Sequence, residues 1–323
     1  MAVHLPDQRE NGRDVERAVS ARSPRTPLMP GTLETLFGFR ERPVAPAGTM
    51  PSDLAAHAAQ RLLEQAGRAP DQIDLLIFAG VSEDVEEPAT AHIVAHKLGI
   101  TSPVFDVRNA CNGLLNALQI ADALIRAGQH SKVLVTTGEM GSLLSRQPVR
   151  DRTELSLLLP GCVMGDVGAA MLVEAGGRRG ILGSHFLANS AGWPAAVIDN
   201  PHFSGTPGAC PVRFDGPLLS AAFDGMETAV FAELDAMGVK LGDIDVFCLH
   251  EAATHVLPRF CAALHIPTDK VISTFEQYGN LATGSLPVQL AQAVEEGRVR
   301  PGNLVALFGL ASGASAGFVL LEW

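Results

Sequence analysis

The chain carries the same succession of secondary-structure signals twice, which constrains its fold more than any single motif. A helical pattern, LAAHAAQRLLEQAG, has Ser52 and Asp53 to cap its start and Gly67 to stop it, and leads by a short link into IDLLIFAG at 73–80. That run is continuously apolar, as a strand buried on both faces requires. Downstream, GMETAVFAELDAMG ends at Gly238 and IDVFCLHE begins at Ile244. Ile73 and Ile244 lie 171 residues apart, and VLVTTGE from Val133 and LVALFGL from Leu304 keep that spacing of 171. Two matched strands at one offset imply two copies of a βαβ unit. Helices read between the paired strands at 111–127 in the first copy, and at 251–264 and 283–296 in the second. The polar turn Gly176-Gly177-Arg178-Arg179 marks the join. The expectation is an α/β protein of two duplicated, doubly wound halves, 1–176 and 177–323.

Composition narrows the function classes. The chain has 323 residues, 47% hydrophobic and 18% charged, enough apolar material for a sizeable core. No run of about 18 apolar residues is present to span a membrane. The opening MAVHLPDQRENGRDVER lacks the apolar segment of a secretory signal, so the expected location is cytoplasmic. Twenty-four Lys and Arg against 35 Asp and Glu leave a net −11, which repels a nucleic-acid backbone. Five cysteines (Cys111, Cys162, Cys210, Cys248 and Cys261) are scattered without a CxxC pair, which argues against a disulfide framework and against a metal site.

Chemistry is sought at strand ends and helix N-termini. In FDVRNACNGLLNALQIADALIRAG, Asn109 suits a cap and Cys111 the first turn of a helix stopped by Gly128. There the free backbone N–H groups and the dipole favour a thiolate and can hold an oxyanion. The bland alternative is a small buried hydrophobe. His250 ends the strand IDVFCL, where a structural role is equally open. Asn280, after Gly279, reads locally as a helix cap. Cys111 displaced by 171 falls at 282, so pseudo-symmetry turns the Asn280 segment towards Cys111. The three residues then form a Cys/His/Asn constellation around one point, as nucleophilic catalysis by a thiolate requires.

Cys111 in VRNACNGLLNAL, His250 in LHEAA, Asn280 in YGNLATGSLP and the glycine-rich FGLASGASAG resemble the thiolase-superfamily condensing enzymes, and more narrowly the β-ketoacyl synthase III family. The likeness extends through GFRERPVAPAGTMPSDLAAHAAQRLLEQAG. TLETLFGFRER, EEPATAH, TFEQYGN and the ending GLASGASAGFVLLEW resemble the OleA-type acyl-CoA condensing branch. The resemblance implies a layered α/β/α/β/α thiolase-like fold and a homodimer. It implies that Cys111 takes an acyl group from a CoA or acyl-carrier-protein thioester, with no cofactor beyond that CoA or phosphopantetheine carrier. His250 and Asn280 then stabilise the oxygen of a second thioester while the carbon–carbon bond forms. Gly309 and Ala311 would belong to an oxyanion-side glycine-rich loop. Glu87 matches a glutamate that reaches the partner's active site as a base, although Pro88 after it also suits the first position of a helix.

Departures from the family pattern stand beside these matches. Thr32 and Leu36 replace the Trp and Arg that clamp the CoA adenine in many relatives, and the His-Gln-Ala-Asn run is His250-Glu251-Ala252-Ala253. His255 takes the place of a basic docking residue, leaving Arg259 as the nearest fixed positive charge. The segment before His4-Leu5-Pro6 is short for the β-strand expected there. Trp193, Phe203, Phe214 and Phe223 fall in the least family-like stretch, 184–224, as candidates for an acyl pocket or a local core. Two rival functions share the fold: transfer of the acyl group to a hydroxyl or amine, and a non-catalytic partner subunit of a heterodimeric synthase.

Overall fold

The computed structural model describes residues 1–177, 179–200 and 210–323; Arg178 and Phe203 lie outside the described residues. In chain order the first half holds β1 (Ala2–His4), β2 (Arg9–Asn11), α1 (Gly12–Arg22), α2 (Thr32–Phe37), β3 (Glu41–Pro43), α3 (Pro51–Ala66), β4 (Leu75–Ala79), α4 (Thr90–Leu98), β5 (Val104–Val107), α5 (Gly113–Arg126), β6 (Lys132–Met140), α6 (Arg152–Cys162) and β7 (Asp166–Glu174). The second holds β8 (Gly180–Ala188), β9 (Ala196–Ile198), β10 (Val212–Phe214), α7 (Gly216–Phe223), α8 (Met226–Ala236), β11 (Val246–Leu249), α9 (Val256–Leu264), β12 (Val271–Ile272), α10 (Phe275–Tyr278), α11 (Ser285–Glu295), β13 (Leu304–Ala311) and β14 (Ser315–Glu322). No helix among the described residues is long and apolar enough to cross a membrane.

Two mixed five-stranded sheets repeat one plan, with orders β1-β7-β6-β4-β5 and β12-β11-β13-β14-β8. The strand residues alternate between two apolar layers, which explains why the runs read as continuously hydrophobic. Leu75, Ile77, Val133, Val135, Val246, Cys248, Val305 and Leu307 face a shared central layer filled by α5 and α11. Leu76, Phe78 and Leu134 face α3 and α4. Phe247, Leu249, Ala306 and Phe308 face α8 and α9. The result is the α/β/α/β/α layering of the thiolase-like fold.

Several local expectations shift. The duplicated strands do not keep one spacing: Leu75 pairs with Val133, whereas Val246 pairs with Val305, so the offset is 171 for β4 and β11 but 172 for β6 and β13. The match of Val133 to Leu304 was one residue out of register, because two buried apolar runs align almost as well at either spacing. Helix α3 is capped at Met50, not Ser52; the Asp53 carboxylate accepts the Met50 N–H at 2.9 Å, while Ser52 donates to Asp84. Its stop at Gly67, with φ of 60°, is the left-handed terminus expected of glycine. The first strand is present, as β1 pairs antiparallel with β7. Pro88 does not open a helix, since α4 begins at Thr90. The aromatic stretch divides: Phe214 and Phe223 pack at core edges, while Trp193 is 62% exposed and forms no local core.

Candidate functional site

Cys111 sits just outside α5, whose N-cap is Asn112; Asn109 is not the cap and donates instead to Asn116 Oδ1 at 2.7 Å. The residue before the cysteine, Ala110, holds a φ of 45°, uncommon for a residue with a Cβ. Bonds from Asn112 N–H to Asn109 O and from Gly113 N–H to Ala110 O close this elbow, each at 3.0 Å. The second half repeats the feature: Ala282 has a φ of 49° and Gly284 caps α11. The counterpart of Cys111 at the 172 spacing is therefore Thr283 rather than residue 282. Cys111 keeps partial exposure. Its thiol stands above the ordinary cysteine range. Desolvation by the surrounding protein, and secondarily the Glu139 carboxylate, push it up to about 12.

His250 follows β11, and its backbone N–H donates to Phe308 O at 2.9 Å. Burial holds the imidazole down at about 4, so it is neutral near pH 7. Its Nδ1 has no hydrogen-bond partner among the described residues. A neutral imidazole carries one proton, and with no acceptor at Nδ1 that proton is better placed on Nε2. Asn280 is fixed differently: its backbone N–H donates to Val163 O at 2.9 Å, its C=O accepts Gly165 N–H at 3.1 Å, and its Oδ1 accepts Ala282 N–H at 2.8 Å. That last bond assigns the amide orientation and turns Nδ2 into the free donor. Asn280 is therefore not a helix cap: Leu281 precedes the short turn Ala282–Gly284, and Gly284 caps α11. Asn280 delivers an N–H pair.

Neighbouring contacts join the segments that carry the three residues. Phe308, which accepts from His250, is followed by Gly309, where an added Cβ would lie 1.9 Å from Asn112 Oδ1, next to Cys111. From the other side, Thr283 Cγ2 lies 3.5 Å from the Cβ position of Gly113. Gly309 and Ala311 belong to strand β13 rather than to a loop; only Ser312, Gly313 and Ala314 link it to β14. The glycine is needed there for close approach, because any side chain would displace Asn112. Asn112 in turn ties α5 to the hairpin, its Nδ2 donating to Ser315 O at 3.0 Å and Ser315 Oγ at 3.1 Å.

Within one chain Glu87 is not gathered into this cluster. It lies on the exposed stretch between β4 and α4. Glu251 is buried and faces inward, accepting from Ser273 Oγ at 2.7 Å, Thr274 N–H at 3.1 Å and Gln289 Nε2 at 3.2 Å. His255 and Arg259 are exposed at the start of α9, and Leu36 is exposed on α2. The residue that sequence reasoning missed is Glu139, only 1% exposed within β6. Its signal was a lone acid inside the apolar run VLVTTGEM.

The segments that bear the Cys111 thiol and the two neutral N–H groups pack against one another, an arrangement compatible with acyl transfer through a covalent intermediate. Comparison with known proteins agrees with that chemistry. Residues 105–190 match the family model for 3-oxoacyl-[acyl-carrier-protein (ACP)] synthase III, and residues 234–323 match the model of its C-terminal part. A Thiobacillus denitrificans beta-ketoacyl-[acyl-carrier-protein] synthase III is 32% identical over 290 residues, covering 88% of this chain and 88% of the relative. The enzyme of the same description from Allorhizobium ampelinum is 32% identical over 333 aligned residues, covering 96% and 99%. The crystal structure of 3-oxoacyl-[acyl-carrier-protein] synthase III from Aquifex aeolicus superposes with a TM-score of 0.84 at 29% identity, covering 100% of this chain and 98% of that one. OleA from Xanthomonas campestris, solved with lauric acid and lauroyl-CoA, gives 0.88 at 23% identity over 100% and 97%, a likeness of fold alone.

Proposed function

The chain belongs to the β-ketoacyl-[acyl-carrier-protein] synthase III family, and from that premise we propose that Cys111 is its acyl-accepting nucleophile and His250 and Asn280 the donors that stabilise the second substrate. It is a condensing acyltransferase, joining acyl thioesters by Claisen chemistry. In loading, Cys111 Sγ attacks the thioester carbonyl of an acyl-CoA or acyl-carrier protein. The new C–S bond replaces the old one, and the proton of the Cys111 thiol ends on the departing CoA or pantetheine thiol. In condensation, a second thioester forms a carbanion whose charge rests on its carbonyl oxygen. Neutral donors meet that oxygen without placing a competing cation in the site. The carbanion carbon attacks the acyl–enzyme carbonyl, a C–C bond forms as the Cys111 C–S bond breaks, and the β-keto thioester leaves.

The observation that carries this reading is the bond from Ala282 N–H to Asn280 Oδ1, which points the amide N–H pair away from the backbone that fixes it. If the second thioester is an unactivated acyl group, its α-proton must go to a base, the role assigned to Glu87 of a partner subunit in a homodimer. A malonyl unit needs no such base, because loss of CO2 generates the carbanion. Glu87→Ala should therefore abolish condensation of unactivated acyl thioesters and spare the malonyl reaction. Light scattering should return a dimer.

Intact-protein mass spectrometry tests the core of the reading. Mixed with a panel of acyl-CoAs and acyl-carrier proteins, the wild-type chain should gain the mass of one acyl group and Cys111→Ala should gain none. Release of that mass on adding malonyl or a second acyl thioester, with a β-keto product, completes the test. An adduct that persists in Cys111→Ala would sink the assignment.

A further inference from the structure

Glu139 is a buried carboxylate that the chemistry above leaves unused. Its Oε1 accepts Val81 N–H at 3.0 Å and Thr283 Oγ1 at 2.5 Å, and its Oε2 accepts Ser82 N–H at 3.0 Å. Ser82 Oγ in turn accepts Met140 N–H at 3.0 Å, which closes a ring between β6 and the chain leaving β4. Thr137 Oγ1 lies 2.5 Å from Thr283 Oγ1. Since Thr283 spends its one hydroxyl proton on Glu139, Thr137 must be the donor in that pair. Burial pushes the Glu139 carboxyl above its ordinary range, while the donors from Thr283, Val81 and Ser82 pull it back towards the anion. One carboxylate thus binds two segments that bear proposed catalytic groups: the stretch from Val81 and Ser82 that runs on to Glu87, and the turn that follows Asn280. Thr283, bonded to it, also has its Cγ2 3.5 Å from the Cβ position of Gly113, two residues past Cys111, and the Glu139 charge pushes the Cys111 thiol up.

We infer that Glu139 is a positioning residue that couples the Glu87 loop to the Asn280 turn and holds its carboxylate near the Cys111 elbow. The inference rests on the roles proposed for Cys111 and Asn280. Several charged groups on the elements packed around α5 already have partners. Asp106 of β5 accepts from Thr90 and Ala91 N–H, Asp166 of β7 accepts from Ala45 N–H and from Ser142, and Arg108 pairs with Glu83. His250 is uncharged. The charge should restrain the empty enzyme: a thiol held neutral resists adventitious alkylation and oxidation until a thioester enters the site.

The test uses the full chain and iodoacetamide as the thiol probe. Glu139→Gln keeps an acceptor for Val81 and Thr283 but removes the charge and faces Ser82 N–H with a donor. It should lower the pH midpoint of Cys111 alkylation and raise the rate at pH 8 about threefold to tenfold. It should also lower kcat for condensation by about 10-fold to 100-fold with KM little changed. Thr283→Val keeps the charge and cuts the link to the Asn280 turn, so the alkylation midpoint should hold while kcat falls. A role in stability alone would leave the midpoint where it is. A folded Glu139→Gln chain with the wild-type midpoint or the wild-type kcat overturns the inference. If Glu139→Gln does not fold, wild-type kcat in Thr283→Val overturns it, and a reduced kcat with an unchanged midpoint supports it. Should the wild-type chain condense no thioester, the proposed function fails, and the alkylation midpoints alone still decide whether Glu139 charges the site.

Discussion

The two halves share a plan but not a way of seating their outer helices. In the first, α3 lies almost on the sheet. An added Cβ at Gly138 would come 1.9 Å from Pro51 O, and one at Gly168 would come 1.9 Å from Leu54 O. Ala55, Ala58 and Ala59 complete that close contact. In the second, the positions equivalent to the paired Thr136 and Ala170 are the paired Phe308 and Phe318. Their rings pack on Phe231 of α8 with centroids 4.9 and 6.0 Å apart, holding that helix off the sheet by the width of an aromatic. Duplication preserved strand order and the central layer, while the outer layers found opposite solutions. The first half tolerates no added atoms there, and the second tolerates no lost ones.

Variants on the corresponding elements of the two halves put this asymmetry to the test. The largest effect belongs to the two elbows: Cys111→Ala should lose acyl loading completely, while Thr283→Ala should still load, as read by intact mass. Loading lost equally in both would mean that the elbows are not functionally distinct. Next comes packing. Phe318→Ala should cost about 3–5 kcal/mol through the cavity it leaves, and Gly168→Ala about 1–3 kcal/mol or more through overpacking, both by denaturant unfolding. A Gly168→Ala chain as stable as wild type would break the comparison.

Asn280→Ala should lower condensation about 100- to 1,000-fold, as removal of one oxyanion donor does elsewhere, with acyl loading retained. The smallest effect is a pH dependence. His250 ionises at about 4 in the folded chain, below its ordinary value near 6.5. Between those two values the unfolded state binds more protons, so the imidazole contributes nothing above pH 6.5 and destabilises progressively below it. The melting temperature of wild type relative to His250→Asn should therefore fall as pH drops from 6.5 towards 4. A difference that stays constant would show that the imidazole is charged or solvated in the fold.

Much of the architecture was legible in the chain, for a physical reason. A strand buried on both faces must be apolar throughout, so IDLLIFAG and IDVFCLHE announced themselves, as did the stops at Gly67, Gly128 and Gly238 that need left-handed backbone. Register was less legible. A one-residue slip between β6 and β13 changes no hydrophobic count, and it hid Thr283 as the counterpart of Cys111. The thiol's state could not be read at all. Proximity to a helix start argues for a low pKa, but depth and the Glu139 charge, which push the other way, depend on segments far apart in sequence. Glu139 stands in the sequence only as a lone acid in VLVTTGEM, and the partners that mark it, Val81, Ser82 and Thr283, come from segments far away in the chain.

The edge pairings carry a consequence for how the chain comes off the ribosome. Among the described residues, β1 pairs only with β7 and β8 only with β14, so each sheet is clasped by joining its earliest strand to its latest. Synthesis runs from the N-terminus, and a half can settle as a unit once its closing strand has emerged. The first sheet gains its clasp with β7 and can rest on α3 and α4 while translation continues. The second cannot: β8 is made next but must wait through more than a hundred residues of unfinished chain for β14. During that interval its edge is open, and the finished first half offers the surface on which the central layer will later assemble.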